Sequence, residues 1–259
     1  IWPGQPVRSD TLGGMTALRS PGVVEVFADL GCPFTHVGLR RFVEHRAELG
    51  RPDIHLLVRS WPLEIVNGTP MDPEFIAEEV VDIRDTVAPD LFVGFTAAAF
   101  PSTSLPGLAL AGAAYGRSLP VGEAVSLELR DLLFEQGADV SDPAVLDEVA
   151  ARHGIDRSSL DDTLVRADHA EGTARGVIGS PHFFTSSGGF FCPALDVHRD
   201  ELGHLQIHLD PAGFDADEVP IGSITNGVHA PTWAAPQWIE LARELVGDPL
   251  MQLSEPATW

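Results

Sequence analysis

The sequence predicts an α/β fold: a strand–helix–strand unit, a long all-helical insertion, a closing β-hairpin and a C-terminal extension. Three observations carry this. Residues 22–28, GVVEVFA, and 54–61, IHLLVRSW, are short β-branched or aromatic runs bounded by Pro21-Gly22 and Pro62. Residues 73–176 carry almost wholly helical signals. Residues 180–192 then return to strand character, SPHFFT and FFC, across a turn at 186–189.

Each element has a local reason. The first strand stops at Asp29-Leu30-Gly31, and Pro33 opens a helix that runs to about Leu49 with Gly50 as its stop. In the insertion, PEFIAEEVVDIR starts on proline, and LALAGAAYGR is a small-residue helix suited to close packing. GEAVSLELRDLLFEQG places Val125, Leu129, Leu132 and Leu133 at helical spacing and ends on Gly137. In SDPAVLDEVAARHG, Ser141 is the expected N-cap, Pro143 sits early and Gly154 closes. SSLDDTLVRADHAEGTARG follows the same grammar. Further on, HLQIHLD at 204–210 alternates like a strand, and PQWIELARELVG at 236–247 is an amphipathic helix.

Composition excludes several chemistries. The 259 residues hold 16 Lys+Arg, all of them arginine, against 38 Asp+Glu, for a net charge of −22. Without lysine there is no internal Schiff base for pyridoxal phosphate, no Walker-A lysine and no class I aldolase nucleophile. A field of this sign repels phosphates, so nucleic acid is not an expected partner. No apolar run reaches the ~18 residues of a membrane span, and residues 1–14 lack the pattern of a secretion signal. A start at Ile1 implies a fragment, a processed form or a fusion. Two cysteines are too few for a disulfide scaffold or a structural zinc site, and the acidic, cysteine-poor composition suits the cytoplasm.

Those two cysteines carry the chemistry. Cys32 follows a buried strand and precedes the helix opened by Pro33, where orphan N–H groups and the positive dipole end favour a thiolate. Asp29 opposes that effect, and His36, one turn along, supports it when protonated. The plain alternative is a small buried apolar residue. Gly179-Ser180-Pro181, directly before the strand HFFT, resembles the cis-proline loop of a thioredoxin-type site; that resemblance implies a loop facing the cysteine, with the backbone of Ser180 pairing with an extended substrate.

With these motifs, VEVFADLGCPFTHVGLRRF and GVIGSPHFFTSSGGFFCPALDV, residues ~21–213 resemble the DsbA family of thioredoxin-fold proteins. That group includes cytoplasmic dithiol oxidoreductases, 2-hydroxychromene-2-carboxylate isomerases and kappa-class glutathione transferases. The resemblance implies a thioredoxin-like fold with a helical insertion over ~73–176, an N-terminal extension over 1–20, and a C-terminal extension over 214–259 with a short helix. It implies thiol chemistry at Cys32, with Thr35 and His36 as catalytic neighbours and Pro33, Phe34, Ser180 and Pro181 at the substrate. A dithiol member would read Cys-x-x-Cys; here Thr35 stands at the resolving position. Monothiol exchange or glutathione-transferase-like chemistry is therefore expected, with Thr35 donating a hydrogen bond to the sulfur. Any mixed disulfide would be released by an external thiol or by another cysteine. Cys192, at the end of the last hairpin strand, is the candidate second thiol; otherwise it is a buried strand residue beside Phe190 and Phe191. The expected partner is a thiol or disulfide substrate, either a small molecule or an extended peptide. No cofactor is expected, with a low-molecular-weight thiol as the candidate co-substrate. The alternatives are a catalytically inactive thioredoxin-fold binding module and a fusion.

The fusion reading comes from residues 219–235, VPIGSITNGVHAPTWAA, which resemble a segment of bacterial α-glucan phosphorylases. The resemblance implies a glucose-site role for Asn226, with His229 nearby, but without lysine there is no phosphorylase activity. The competing reading is a proline-rich cap that packs Trp233 and Trp238. No metal site is expected. His204 and His208 stand ~13 Å apart on one strand face, with Leu205, Ile207 and Leu209 inward. His153, His169, Glu78-Glu79 and Asp161-Asp162 read as solvated helix surface.

Overall fold

The structure, a computed structural model, describes residues 22–158, 160–185, 188–199 and 205–209. The N-terminal extension, the hairpin turn at 186–187, His204, the phosphorylase-like segment and the expected 236–247 helix lie outside the described residues.

β1 (Val23–Ala28) and β2 (His55–Ser60) run parallel, paired from Val23↔His55 to Ala28↔Ser60, and α1 (Pro33–Glu48) makes the crossover between them. Gly50, at φ +63°, lets the chain leave the helix. β3 (His182–Thr185) lies antiparallel to β1, with Val26 opposite Phe183, and β4 (Gly188–Phe191) is antiparallel to β3. The sheet order is therefore β2-β1-β3-β4.

The insertion is helical as the periodicity predicts. A short α2 (Leu63–Asn67), which the sequence reading did not include, precedes it; α3 (Pro73–Thr86), α4 (Leu105–Tyr115), α5 (Leu119–Phe134), α6 (Pro143–His153) and α7 (Thr163–Ala174) fill it, with a short 3-10 turn at Ala97–Ala99. Two features differ from expectation. The α6 cap is Asp142, whose carboxylate accepts from Ala144 N–H at 2.8 Å, whereas the N–H and hydroxyl of Ser141 bind the carboxylate of Asp139. A residue before proline is pushed out of helical backbone geometry, so Asp142, extended at ψ 121°, is the last non-helical position. After β4, Leu195–Arg199 forms β5, which the sequence reading left out; it pairs antiparallel with β6 (Leu205–Leu209), the strand expected from HLQIHLD. In β6, Ile207 is buried and His208 exposed, the predicted alternation.

β2 is an edge strand, so every second N–H points away from the sheet and needs a partner. The insertion supplies three. Leu56 N–H donates to Glu123 on α5 at 2.9 Å, Val58 N–H to the hydroxyl of Tyr115 on α4 at 2.9 Å, and Ser60 N–H to Asp168 on α7 at 2.9 Å. Tyr115 in turn donates to Leu56 O at 3.0 Å. Glu123 is buried and held by Arg46 at 2.6 Å and His55 at 3.3 Å.

The main core joins Val24, Val26 and Ala28 of β1 to α1 and the insertion, while Phe27, Trp61, Val177 and Phe184 form a smaller cluster on the other face. Arg175 lies 4.0 Å over the Phe184 ring and pairs with Glu25 at 2.7 Å, so a charged layer covers that cluster. The helix-surface expectations need three corrections. Glu79 is buried, His153 is half-buried against Glu128 at 2.5 Å, and His169 packs on Trp61 with ring centroids 4.9 Å apart. In each case an insertion helix packs on a neighbour along more than its apolar stripe.

Candidate active site

The turn Asp29-Leu30-Gly31 joins β1 to α1 and is built by the side chain of Asp29. Its Oδ1 accepts from Gly31 N–H at 2.7 Å, and its Oδ2 accepts from Leu63 N–H at 2.7 Å and from the Ser104 hydroxyl at 3.2 Å. Gly31 has to be small: a Cβ there would lie 2.7 Å from Met71 Cε and 2.9 Å from Phe100 Cζ. This turn delivers Cys32 to the N-cap of α1 and Pro33 to its first residue.

Opposite the turn, the Ser180–Pro181 peptide is cis. Ser180 is the junction of the site. Its hydroxyl accepts from Asp29 N–H at 2.8 Å and lies 2.7 Å from Thr35 Oγ1, and its carbonyl accepts from the Cys32 thiol at 3.2 Å. Cys32, Thr35, Ser180 and Pro181 are buried, and Phe34 is half-buried. Thus Cys32, Thr35, Ser180 and Pro181 converge, whereas the resting Ser180 carbonyl, expected to face a substrate, is taken by the thiol.

The resting sulfur is a donor, and its surroundings explain why. Burial pushes the Cys32 thiol up from its ordinary value. Hydrogen bonds from the hydroxyl and N–H of Thr35 and the hydroxyl of Ser180 pull it back, and the Asp29 charge pushes it further up. The helix-start position alone predicted a thiolate; taking the sulfur out of water outweighs it here.

His36 faces elsewhere. Its ring is buried between Phe92 and Phe134, with centroids 5.2 and 4.9 Å away, and its Nε2 lies 2.6 Å from Glu135 Oε1. Burial holds His36 below its ordinary value against the pull of Glu135, so the ring is neutral and donates Nε2–H to the carboxylate. Glu135 also accepts from the N–H groups of Phe92, at φ +63°, and Val93. His36 thus ties α1 to the 92–93 loop through Glu135, and support of the sulfur by a charged imidazole has no geometry behind it.

Cys192 follows β4 directly, at φ +46°, and its N–H donates to Pro181 O at 2.9 Å. The carbonyls of Ser180 and Pro181 therefore hold the Cys32 thiol and the Cys192 amide respectively. Both cysteines are buried, and no disulfide joins them.

Ser104 and Arg130, which touch Asp29, were absent from the sequence reading. Arg130 on α5 is fully buried; its Nη2 donates to Asp29 O at 3.0 Å, and its Nη1 to the carbonyl and hydroxyl of Ser126, both at 2.8 Å. The apolar spacing around Arg130, between Leu129 and Leu132-Leu133, was the available signal. Among the described residues no group of three His, Cys, Asp or Glu side chains is arranged to hold a metal, and no helix is long and apolar enough to cross a membrane.

Comparison with known proteins follows the same division of the chain. A model of the DSBA-like thioredoxin domain matches residues 23–201. Among solved structures, the chain is similar to a 2-hydroxychromene-2-carboxylate isomerase at 16% identity, covering 65% of this chain and 88% of that one with a TM-score of 0.49. It is also similar to the cytosolic disulfide reductase DsbM from Pseudomonas aeruginosa at 15% identity, covering 72% and 88% with a TM-score of 0.48. A separate 48-residue stretch, 18% of the chain, is 71% identical to glycogen phosphorylase from Mycobacterium tuberculosis. The match spans 5% of that relative's length, and the phosphorylase likeness is confined to a short segment. The match over residues 23–201 takes in both the Cys32 turn and the Pro181 hairpin, and by it the chain belongs to the DSBA-like thioredoxin domain family.

Proposed function

We propose that this chain is a monothiol oxidoreductase-like enzyme in which Cys32 is the nucleophile. The observation that supports it most directly is the Cys32 sulfur at the start of α1, 3.2 Å from Ser180 O, with Thr35 at the resolving position. The Cys32 proton passes to solvent as the S–H···O bond to Ser180 is lost. The hydroxyls of Thr35 and Ser180 then stabilise the thiolate. The thiolate attacks one sulfur of a substrate disulfide, forming a Cys32 mixed disulfide as the substrate's own S–S bond breaks and its second sulfur leaves as thiolate. A low-molecular-weight thiolate then attacks the mixed disulfide, takes the substrate sulfur into a new disulfide and returns Cys32. Glutathione-transferase-like chemistry would use the same hydroxyls on a bound thiol. Pro33, Phe34 and Pro181 are the proposed substrate contacts, and Cys192 is the proposed second thiol. The proposed unit is residues 21–213, with extensions over 1–20 and 214–259, acting in the cytoplasm without a resident cofactor.

Cys32→Ser should abolish turnover of a low-molecular-weight disulfide in the presence of glutathione; undiminished turnover sinks the reading. The raised thiol pKa of Cys32 favours a second reading, a binding module that no longer catalyses. In that case the wild-type chain binds an extended cysteine-free peptide as well as Cys32→Ser does, and neither turns over disulfide. The phosphorylase-like segment is best read as fused or recombined, since a glucose-site loop without its walls has little to hold a sugar. Glycogen co-sedimentation should fail to retain the protein, and retention would reverse that reading.

A further inference from the structure

Arg130 is the only arginine among the described residues that is fully buried, and it sits beneath the turn that carries Cys32. It is fixed from two sides. Nη1 is spent on Ser126, one helical turn back on α5, and Nη2 reaches the carbonyl of Asp29 at 3.0 Å. Its Nε is buried and has no hydrogen-bond partner. A buried cation costs several kcal/mol unless anions compensate it. The Asp29 carboxylate is the nearby acidic group: burial, the largest influence, pushes its pKa up, and the N–H groups of Gly31 and Leu63, the Ser104 hydroxyl and the Arg130 charge pull it back towards the anion. The guanidinium, however, meets the backbone of Asp29 and not its carboxylate, so the cation is not consumed in a closed pair.

We propose that Arg130 is a positioning residue for Cys32: one buried cation shared between the Asp29 carboxylate and the Cys32 sulfur once that sulfur is charged. The inference rests on the reading of Cys32 as a nucleophile and names what makes its thiolate attainable inside the protein. In a low-dielectric interior, a thiolate beside the Asp29 carboxylate would have only the dipoles of Thr35 and Ser180 to set against that repulsion. Arg130 turns that pair of anions around one cation into a site of net charge −1.

The surrounding charges are consistent with this arrangement. Burial, its largest influence, lowers the Arg130 guanidinium to about 10, which leaves it protonated at neutral pH. Asp29, Tyr115, Cys32 and Asp131, in that order, hold the proton on. Around Cys32 the facing groups are Thr35 and Ser180 as hydrogen-bond donors and Asp29 as a charge. Glu64 stands behind Ser104, bonded to its hydroxyl at 3.0 Å, and the imidazole of His36 is committed to Glu135.

The test is the pH profile of Cys32 alkylation by iodoacetamide in a Cys192→Ser background, with folding followed by circular dichroism. It needs no substrate, so it stands apart from the turnover assay: loss of turnover with a normal profile would refute the enzyme reading and not this one. Arg130→Met should move the profile to higher pH by about one unit, a roughly tenfold lower rate at pH 7, and Arg130→Lys should restore most of it. Asp29→Asn should move the profile the other way, because the sulfur then has the cation to itself. A folded Arg130→Met protein with an unchanged profile overturns the proposal. Where Arg130→Met does not fold, an unchanged profile in a folded Arg130→Gln protein overturns it instead.

Discussion

Along the outer edge of β2, Glu123, Tyr115 and Asp168 each meet a backbone N–H of the strand; at the β1–α1 turn, Asp29, Ser180 and Thr35 meet one another around a sulfur. Both regions put polar side chains where water is excluded, and both draw them from elements far apart in sequence. At the edge each group closes a bond that the sheet requires, and nothing is left to react. At the turn the same donors that shape the backbone are the ones a thiolate would need. Buried polarity closes the sheet edge in the first region; in the second it surrounds the sulfur proposed to react.

The contrast can be broken most sharply at the edge. Glu123→Ala leaves Arg46 and Leu56 N–H without their acceptor and should cost about 3–5 kcal/mol in urea unfolding. The alkylation profile of whatever remains folded should match the parent. A small stability change would mean that water enters and the edge is not closed. At the turn, Thr35→Val should do the reverse. It removes one hydroxyl donor, slowing Cys32 alkylation about five- to tenfold for about 1 kcal/mol of lost hydrogen bonding. An unchanged rate would show that the Thr35 hydroxyl serves only Ser180.

An effect that belongs to neither region's hydrogen bonds comes from His182, next to Pro181. Burial first, and then the Arg175 charge, lower its pKa from 6.5 to about 4. Between those values the unfolded chain binds more protons than the folded one, so stability is complete above about pH 6.5 and falls as the pH drops towards 4. The loss should be on the order of 1–2 kcal/mol, and His182→Gln should flatten the stability curve over that window. A curve of unchanged slope would assign the acid sensitivity to the carboxylates.

How far these regions could be read from the chain differs for physical reasons. β1, α1, β2 and the hairpin follow from short-range pattern: β-branched runs, Pro33 at a helix start, Gly50 and Gly154 at helix ends. Cys32 and Pro181 stand out by position, one at a helix start and one before a strand. The partners of Asp29 do not. Arg130 lies 101 residues from it and Ser104 75, and the apolar spacing around Arg130 does not say which segment it meets. The role expected of His36 failed on the same ground, since spacing put it one turn from Cys32 while Glu135, 99 residues away, captured its ring.

The sequence by itself determined the order of elements, the absence of lysine chemistry, the missing resolving cysteine and the place of Cys32. Those depend on residue type and near-neighbour spacing, which a linear chain carries in full. Only the tertiary structure decided that the sulfur rests as a buried thiol on Ser180, that β2 is closed by three insertion helices, and that Arg130 lies under the turn. Burial and charge pairing depend on which distant segments exclude water together, and that is settled when the insertion folds over the sheet.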